Sequence, residues 1–295
     1  MKDKISKFDI TNDKLKLKPK LSTSDNKIEL NFKDVQIAQV EYSEGPVGLT
    51  YIDFPKGAKV YMDVRGGWPA YLNSLSTNDK QHISGINISG GSILGLESTT
   101  GIIAEDFKKQ GYRDWKGVNG SIIYSQNLFK NRIYPDKELG RFAYQNFGTT
   151  LYNGQVGAGQ SAQKGQGWYY HEIKGIKILG LVVNNAVGDI YKDCQKINTK
   201  SMNLSKLEVG KNTTITVLIT NLKLDNDELK QMAHQVNCSM AETIRPFNTF
   251  LDGDVFYSCS TETYAKPKNF TDKKLIRLYM VCSDVIKRAI LNSIK

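Results

Sequence analysis

The sequence predicts an α/β protein in which sheets are covered by amphipathic helices. Two patterns predict it. Short β-rich runs separated by turn residues recur between residues 31 and 200. Segments with an apolar residue at every third or fourth position alternate with those runs. The chain has 295 residues, 40% of them hydrophobic, which is enough for a large core. The patterns do not fix the number of layers.

The first two thirds of the chain predict an arm, strands and two helices. Residues 1–30 are polar and rich in lysine, and we expect a flexible basic arm. The glycine pair Gly90-Gly91 leads into a helix that continues through Phe107 and ends at Gly111. A second helix begins at Tyr134-Pro135-Asp136, with the proline in its first turn. The predicted strands are VQIAQVEY, VGLTYIDF, AKVYMDV and the buried-type run IKILGLVVNN.

After a polar, irregular loop at 201–211, predicted strands and helices alternate again. Thr213–Thr220 is almost wholly β-branched and predicts a strand. Asp225 caps a helix whose apolar residues have a 3.6-residue period. Another strand is expected at Asp254–Thr261, and Thr271 begins the final helix. Residues 31–295 are expected to form a single domain.

The charge and the apolar runs of the sequence limit the classes of partner that we expect. The formal net charge of +10 suggests anionic partners, but the lysines are scattered. The one dense cluster lies in the arm without a recognised nucleic-acid-binding motif, so no nucleic acid is expected; it consists of Lys14, Lys16, Lys18 and Lys20. No run of eighteen apolar residues occurs, so no membrane span is expected. The charged N-terminus lacks a secretory h-region, which predicts a cytoplasmic location and reduced cysteines.

Familiar nucleophile motifs are missing from the sequence. It has three histidines, no G-x-S-x-G elbow and no H-E-x-x-H. The glycine-rich stretch Gly154–Gly167 lacks the G-K-[ST] ending of a phosphate-binding loop, and close backbone packing or a pocket wall is the better interpretation.

One junction suggests self-cleavage. Asn212-Thr213 joins the polar loop to the β-branched strand. The Thr213 hydroxyl can attack the preceding carbonyl, which converts the amide into an ester that water then cuts. The new α-amine titrates near about 7.7–8.0 and can act as a general base for its own hydroxyl. An ordinary strand start is the alternative interpretation.

The pair Asp252 and Asp254 brackets Gly253. In an extended chain both carboxylates share one face, and the repulsion between them raises one pKa, so that one carboxyl stays protonated. A β-turn or a cation site would explain the same residues.

Six ordered stretches give the sequence a family resemblance. They are MDVRGGWPAY (62–71), GGSILGLE (90–97), YPDKELGR (134–141), VVNNAVGDI (182–190), KNTTITVLITN (211–221) and IRPFNTFLDGD (244–254). The chain resembles the 6-aminohexanoate-oligomer hydrolases (nylon hydrolases), which are grouped with the β-peptidyl aminopeptidases and the L-aminopeptidase/D-esterases. The resemblance runs from about residue 35 to the C-terminus.

The resemblance implies a fold, an activity and roles for site residues. The implied fold is a four-layer α/β/β/α sandwich of the N-terminal-nucleophile type. The implied activity is hydrolysis of oligoamides or small peptides through an acyl-enzyme. Self-cleavage would give residues 1–212 and 213–295, assembled as a homotetramer of cleaved heterodimers, and the reaction requires no metal or organic cofactor. The implied roles are Thr213 as nucleophile, Asn212 as the residue preceding it, Lys137 as active-site lysine, Asn185 as oxyanion donor, and Asp252 and Asp254 as the carboxylate pair.

Substrate specificity stays open at the level of sequence. Leu94 stands where nylon hydrolases carry a tyrosine, and Trp68 is a candidate for contact with methylene chains. β-Peptides and D-amino-acid amides or esters are alternative substrates. An acyltransferase related to ornithine acetyltransferases and a non-enzymatic basic binding protein are alternative functions.

Overall fold

The computed structural model describes residues 11–45, 47–72, 82–124, 132–197 and 212–294. The predicted loop at 201–211 lies outside these ranges. The described helices are α1 (Glu97–Lys109), α2 (Lys137–Gln145), α3 (Asn226–Met240) and α4 (Asp272–Asn292). The described strands are β1 (Pro19–Leu21), β2 (Lys27–Glu29), β3 (Gln36–Tyr42), β4 (Gly48–Val64), β5 (Tyr71–Leu72), β6 (His82–Ser89), β7 (Val118–Ile122), β8 (Thr150–Tyr152), β9 (Gln166–Ile173), β10 (Ile176–Asn185), β11 (Asp189–Lys192), β12 (Gln195–Lys196), β13 (Thr213–Leu222), β14 (Ile244–Arg245) and β15 (Val255–Tyr264).

Ten strands form one continuous sheet in the order β5-β7-β6-β4-β15-β13-β10-β9, and β3 and β1 extend it from β4. Strand β10 runs antiparallel to β13, whereas β15 runs parallel to it. The C-terminal end of β10 and the N-terminal ends of β13 and β15 therefore meet at one edge. Two small sheets, β12-β11-β14 and β2-β8, complete the described strands.

Strand β4 pairs with strands in both halves of the large sheet. Up to Asp53 it pairs with β3 and β6. It pairs with β6 again at Ala58 and Lys59, and from Lys59 onward it also pairs with β15. The register with β6 shifts between Asp53 and Ala58, and such a bulge bends a strand. The two predicted strands VGLTYIDF and AKVYMDV are thus one bent strand, because Pro55-Lys56-Gly57 forms a bulge rather than a turn.

Three apolar clusters define four layers. The inner cluster joins residues of β4 and β6, such as Ile52 and Ile86, to residues of β10 and β13, such as Leu181 and Val217. Helices α3 and α4 bury their apolar faces against the outer side of β10 and β13. Helices α1 and α2 do the same against β3 and β4. This arrangement is the expected α/β/β/α sandwich.

The helix ends follow the sequence signals, with one exception. Asp225 caps α3 through a capping box with Glu228, and Gly111 follows α1 with a φ of 66°. The exception is Pro135, which precedes the cap of α2 instead of lying in its first turn. Asp136 is that cap, because its carboxylate accepts from the N–H groups of the first turn. No helix among the described residues is long and apolar enough to cross a membrane.

In its described part, the N-terminal segment that the sequence predicts to be a flexible arm contacts the rest of the fold. β1 pairs with β3, and β2 pairs with β8. The side chain of Asn12 also donates to the carbonyl oxygen of Tyr134 over 2.9 Å and to the carboxylate of Asp136 over 2.7 Å. Low hydrophobicity is typical of a flexible segment. The described part of this segment is held by backbone and side-chain hydrogen bonds rather than by a core of its own. Residues 1–10 lie outside the described ranges.

Candidate active site

The predicted cleavage junction lies where three strand ends meet. Thr213 is the first residue of β13, and its Cα lies opposite that of Asn185, the last residue of β10. Asn212 forms a parallel bridge with Asp252, in the loop before β15. Both junction residues are buried, Asn212 at 6% exposure and Thr213 at 4%. The fold therefore places the junction, the asparagine and the aspartate loop side by side.

The carbonyl of Asn212, which the Thr213 hydroxyl would attack, accepts a hydrogen bond. Its donor is the backbone N–H of Gly253, at 2.9 Å. A Cβ at position 253 would lie 2.7 Å from the carbonyl oxygen of Trp68 and 3.3 Å from the Thr213 hydroxyl oxygen. Glycine is therefore required for this close approach to the Thr213 hydroxyl.

The two carboxylates of the pair have different environments. Asp252 accepts from the N–H of Val187 at 3.2 Å, and from the N–H and hydroxyl of Thr249 at 3.1 and 2.6 Å. These three bonds stabilise a negative charge on Asp252. Asp254 accepts from the N–H of Thr214 at 2.5 Å, and among the described residues its Oδ2 has no hydrogen-bond partner.

Burial raises the pKa of Asp254 well above its usual range, and the charge of Asp252 raises it further. The sequence pattern predicts a raised pKa for one member of the pair, and Asp254 is that member. A carboxyl that keeps its proton donates a hydrogen bond as well as accepting one.

The amide of Asn185 is held in one orientation. Its Oδ1 accepts from the N–H of Gln163 at 3.0 Å, which leaves Nδ2 as the donor end. Nδ2 lies 3.4 Å from the carbonyl oxygen of Tyr124, a long hydrogen bond. An amide donor in this position, across the ladder from Thr213, can stabilise an oxyanion that forms beside it.

A lysine not singled out in the sequence lies close to this cluster. Lys164 precedes β9, is half-buried, and donates to the carbonyl oxygen of Ala186 at 2.7 Å. Burial lowers the pKa of Lys164 to about 8, although the charges of Asp189 and Asp252 act in the opposite direction. A substantial fraction of such an amine is neutral near pH 8 and can accept a proton.

Lys137, the lysine expected in the site, is not brought to the cluster. It is exposed at the start of α2, in the outer helical layer. Its backbone packs against Gly101 of α1. Within the described ranges no hydrogen bond or ion pair joins Lys137 to Thr213, Asn185 or the carboxylates.

The two residues expected to contact substrate have exposed side chains. The N–H of Trp68 donates to the carbonyl oxygen of Asp252 at 3.0 Å, while its side chain is 63% exposed. Leu94 is 46% exposed in a 3₁₀ turn at Ser92–Leu96. The turn is tied to Ile123, whose neighbour Tyr124 contacts Asn185. Trp68 and Leu94 thus add apolar surface beside polar groups.

Comparisons with known protein sequences show which proteins this chain is similar to. The sequence profile of peptidase family S58 matches residues 136–295. A 6-aminohexanoate-oligomer endohydrolase of Agromyces sp. (strain KY5R) is 29% identical over 87% of this chain and 81% of its own. An uncharacterized aminopeptidase of Mycobacterium leprae, ML1167, is 24% identical over 72% of this chain and 70% of its own.

Solved structures give the same fold. An L-aminopeptidase D-Ala-esterase/amidase from Ochrobactrum anthropi, described as a variant of the Ntn hydrolase fold, aligns with a TM-score of 0.67 at 16% identity. The alignment covers 88% of this chain and 83% of that one. A Burkholderia sp. beta-aminopeptidase aligns with a TM-score of 0.69 at 13% identity, over 94% and 89% of the two chains.

Proposed function

The chain belongs to peptidase family S58, and on that premise we propose that it is a self-cleaving amide hydrolase whose nucleophile is the hydroxyl of Thr213. One observation carries the proposal. The buried Thr213 begins a strand at a point where the preceding carbonyl accepts a hydrogen bond from Gly253. Asn185, Asp252 and Asp254 surround the same strand end.

Self-cleavage begins at Asn212. The hydroxyl oxygen of Thr213 attacks the Asn212 carbonyl carbon, and the π electrons move onto the carbonyl oxygen. The hydroxyl proton passes to the neutral amine of Lys164. When the C–N bond breaks, that proton is returned to the departing nitrogen, which becomes the α-amine of Thr213. Water then hydrolyses the ester to the Asn212 carboxylate and the free hydroxyl.

Lys164 is the better base than Lys137 on physical grounds. A base must have a neutral fraction near the working pH and must reach the reacting proton. The lowered pKa of Lys164 meets the first requirement. Its hydrogen bond to Ala186 places it beside Asn185, whose Cα lies opposite that of Thr213. Lys137 is exposed in another layer. We therefore propose Lys164 for the role that the motif comparison assigned to Lys137.

Hydrolysis of a substrate follows the same chemistry in trans. The α-amine of Thr213 takes the hydroxyl proton as the oxygen attacks the substrate amide carbon. Nδ2 of Asn185 stabilises the oxyanion. The amine product leaves with the transferred proton, and water releases the acyl group. The carboxyl of Asp254, fixed by the N–H of Thr214, orients the polar groups at this strand end.

The substrate class we propose is an oligoamide with apolar spacers, or a short peptide. The 6-aminohexanoate-oligomer endohydrolases similar to this chain act, as their name states, on such oligomers. The exposed side chains of Trp68 and Leu94 offer apolar contact to methylene groups.

The test is hydrolysis of a panel of amides by purified wild type and by Thr213→Ala. The panel contains a 6-aminohexanoate oligomer, a β-dipeptide and a D-amino-acid amide. We expect wild type to release amine from at least one of them, and Thr213→Ala to release none. Equal hydrolysis by the two proteins would refute the assignment of the nucleophile.

A further inference from the structure

We propose that the backbone N–H of Gly253 is the oxyanion donor for self-cleavage. This inference rests on the function proposed above and goes beyond it, because it identifies the group that stabilises the charge formed on Asn212. The donor is already in place in the uncut chain, 2.9 Å from the carbonyl oxygen that becomes negative.

The peptide unit that carries this N–H is held at both ends. Its carbonyl oxygen, on Asp252, accepts from the N–H of Trp68 at 3.0 Å, and its N–H donates to Asn212. Hydrogen bonds in such a chain polarise one another and strengthen the terminal donor. The peptide therefore cannot rotate away without losing two bonds, and the donor needs no reorganisation during the reaction.

The side chain of Asp252 adds to this restraint. Its carboxylate is fixed by Val187 and by Thr249. The carbonyl oxygen of Asp254, on the far side of Gly253, accepts from the N–H groups of Arg65 and Gly66 at 3.2 and 3.3 Å. The segment around Gly253 is thus anchored on both sides of the donor.

Glycine at this position leaves the attack path open. A Cβ there would stand 3.3 Å from the nucleophilic oxygen and 2.7 Å from the Trp68 carbonyl oxygen. In the uncut chain the Asn185 amide is engaged with Gln163 and Tyr124 instead of with Asn212. Two different donors thus serve the two reactions: Gly253 for self-cleavage and Asn185 for substrate hydrolysis.

The step conserves atoms and charge. The bond from the Thr213 oxygen to the Asn212 carbon forms, and the electron pair displaced onto the carbonyl oxygen is held by the Gly253 N–H. When that pair returns, the bond from the Asn212 carbon to the Thr213 nitrogen breaks, and the nitrogen takes the proton that left the hydroxyl. The Gly253 N–H keeps its proton throughout.

An amide-to-ester exchange tests the donor directly. Cell-free suppression with a transfer RNA charged with glycolic acid replaces Gly253, which removes the N–H and adds no side chain. The same exchange at Gly111 is the matched control, because its N–H also donates one backbone bond, to Lys108 at 3.0 Å, far from the junction in sequence and on the outer helix α1. Half-times of cleavage are measured by mass spectrometry, and thermal unfolding of both proteins is recorded.

We expect the ester at 253 to slow cleavage by about 100-fold or more, the usual effect of losing one oxyanion donor, while the ester at 111 cleaves at the wild-type rate. Cleavage of both esters within about threefold of wild type would overturn the inference, as would equal slowing of both. A wild type that never splits would instead refute self-cleavage itself, and the two failures are therefore distinguishable.

Discussion

Thr213 and Asn185 face each other across the antiparallel ladder that joins β13 to β10. The proposed nucleophile and the proposed oxyanion donor of substrate hydrolysis are therefore positioned by backbone pairing. Strand pairing is rigid, so such a site holds its geometry without a ligand.

Replacing Asn185 by alanine separates the two reactions. We expect Asn185→Ala to lower kcat for amide hydrolysis by about 10²–10³, the usual cost of losing an oxyanion donor. Self-cleavage should continue, because the described hydrogen bond to the Asn212 carbonyl comes from Gly253. Kinetics on the cleaved protein and a time course of chain cleavage give the two readouts.

The adjacent residue is the control for that substitution. Asn184 is equally buried but bonds to Ser293. Asn184→Ala should therefore affect folding stability more than kcat. If it lowers kcat as much as Asn185→Ala does, Asn185 has no special role.

The lowered pKa of Lys164 predicts a pH dependence. Only the neutral amine accepts the Thr213 proton, so the rate of self-cleavage should rise as pH increases and level off above about 8. Lys164→Met should abolish this rising limb and slow cleavage. Rates are measured between pH 6 and 10 on freshly translated chain.

Lys137→Met is the matched control, because Lys137 is exposed in the outer layer. It should leave the profile unchanged. A profile altered by Lys137→Met and not by Lys164→Met would return the role to Lys137.

The raised pKa of Asp254 predicts that folding stability depends on pH. This pKa is raised in the folded chain, whereas in the unfolded chain it is near about 3.9. As pH rises above about 4 the unfolded chain releases this proton and the native chain keeps it, so its contribution to stability falls with increasing pH. Asp254→Asn cannot ionise, and in a Thr213→Ala background it should raise Tm more at pH 8 than at pH 5.

The exposed Asp284 of α4 provides the comparison. Asp284→Asn in the same background should show no such difference between the two pH values. An Asp254→Asn protein whose Tm gain is the same at pH 5 and pH 8 would contradict a protonated Asp254.

The exposed position of Leu94 predicts that its substitution changes substrate binding. Leu94→Asp places a charge on an apolar, exposed position, and we expect KM for a 6-aminohexanoate oligomer to rise about tenfold while Tm is unchanged. Ile276, 54% exposed on α4, supplies the control Ile276→Asp. Similar KM values for the two variants would place Leu94 outside the binding surface.

Much of the fold could be predicted from local patterns. The β-branched run at Thr213 and the capping box at Asp225 each agree with the structure, because propensity and capping act within a few residues. The bend in β4 could not be predicted, because a bulge and a turn use the same residues, Pro55-Lys56-Gly57. In the arm, Leu15, Leu17 and Pro19 alternate with exposed lysines, which is a pattern typical of a half-buried strand.

The site was predicted unevenly. Thr213, Asn185 and Asp252 are brought together by strand order, which the motifs indicated in sequence but could not arrange in space. A sequence motif indicates Lys137, but a motif does not reveal whether a side chain is exposed. The glycine-rich surroundings of Lys164 favour close backbone packing or a pocket wall and do not indicate a catalytic lysine. A lysine among small residues directly before a buried strand was the available signal.

The intact masses of the purified protein test the central claim most directly. We expect two species, residues 1–212 and residues 213–295, with threonine at the new N-terminus, and a single full-length species for Thr213→Ala. A wild type that stays full-length, or splits at another bond, would contradict attack by the Thr213 hydroxyl on Asn212.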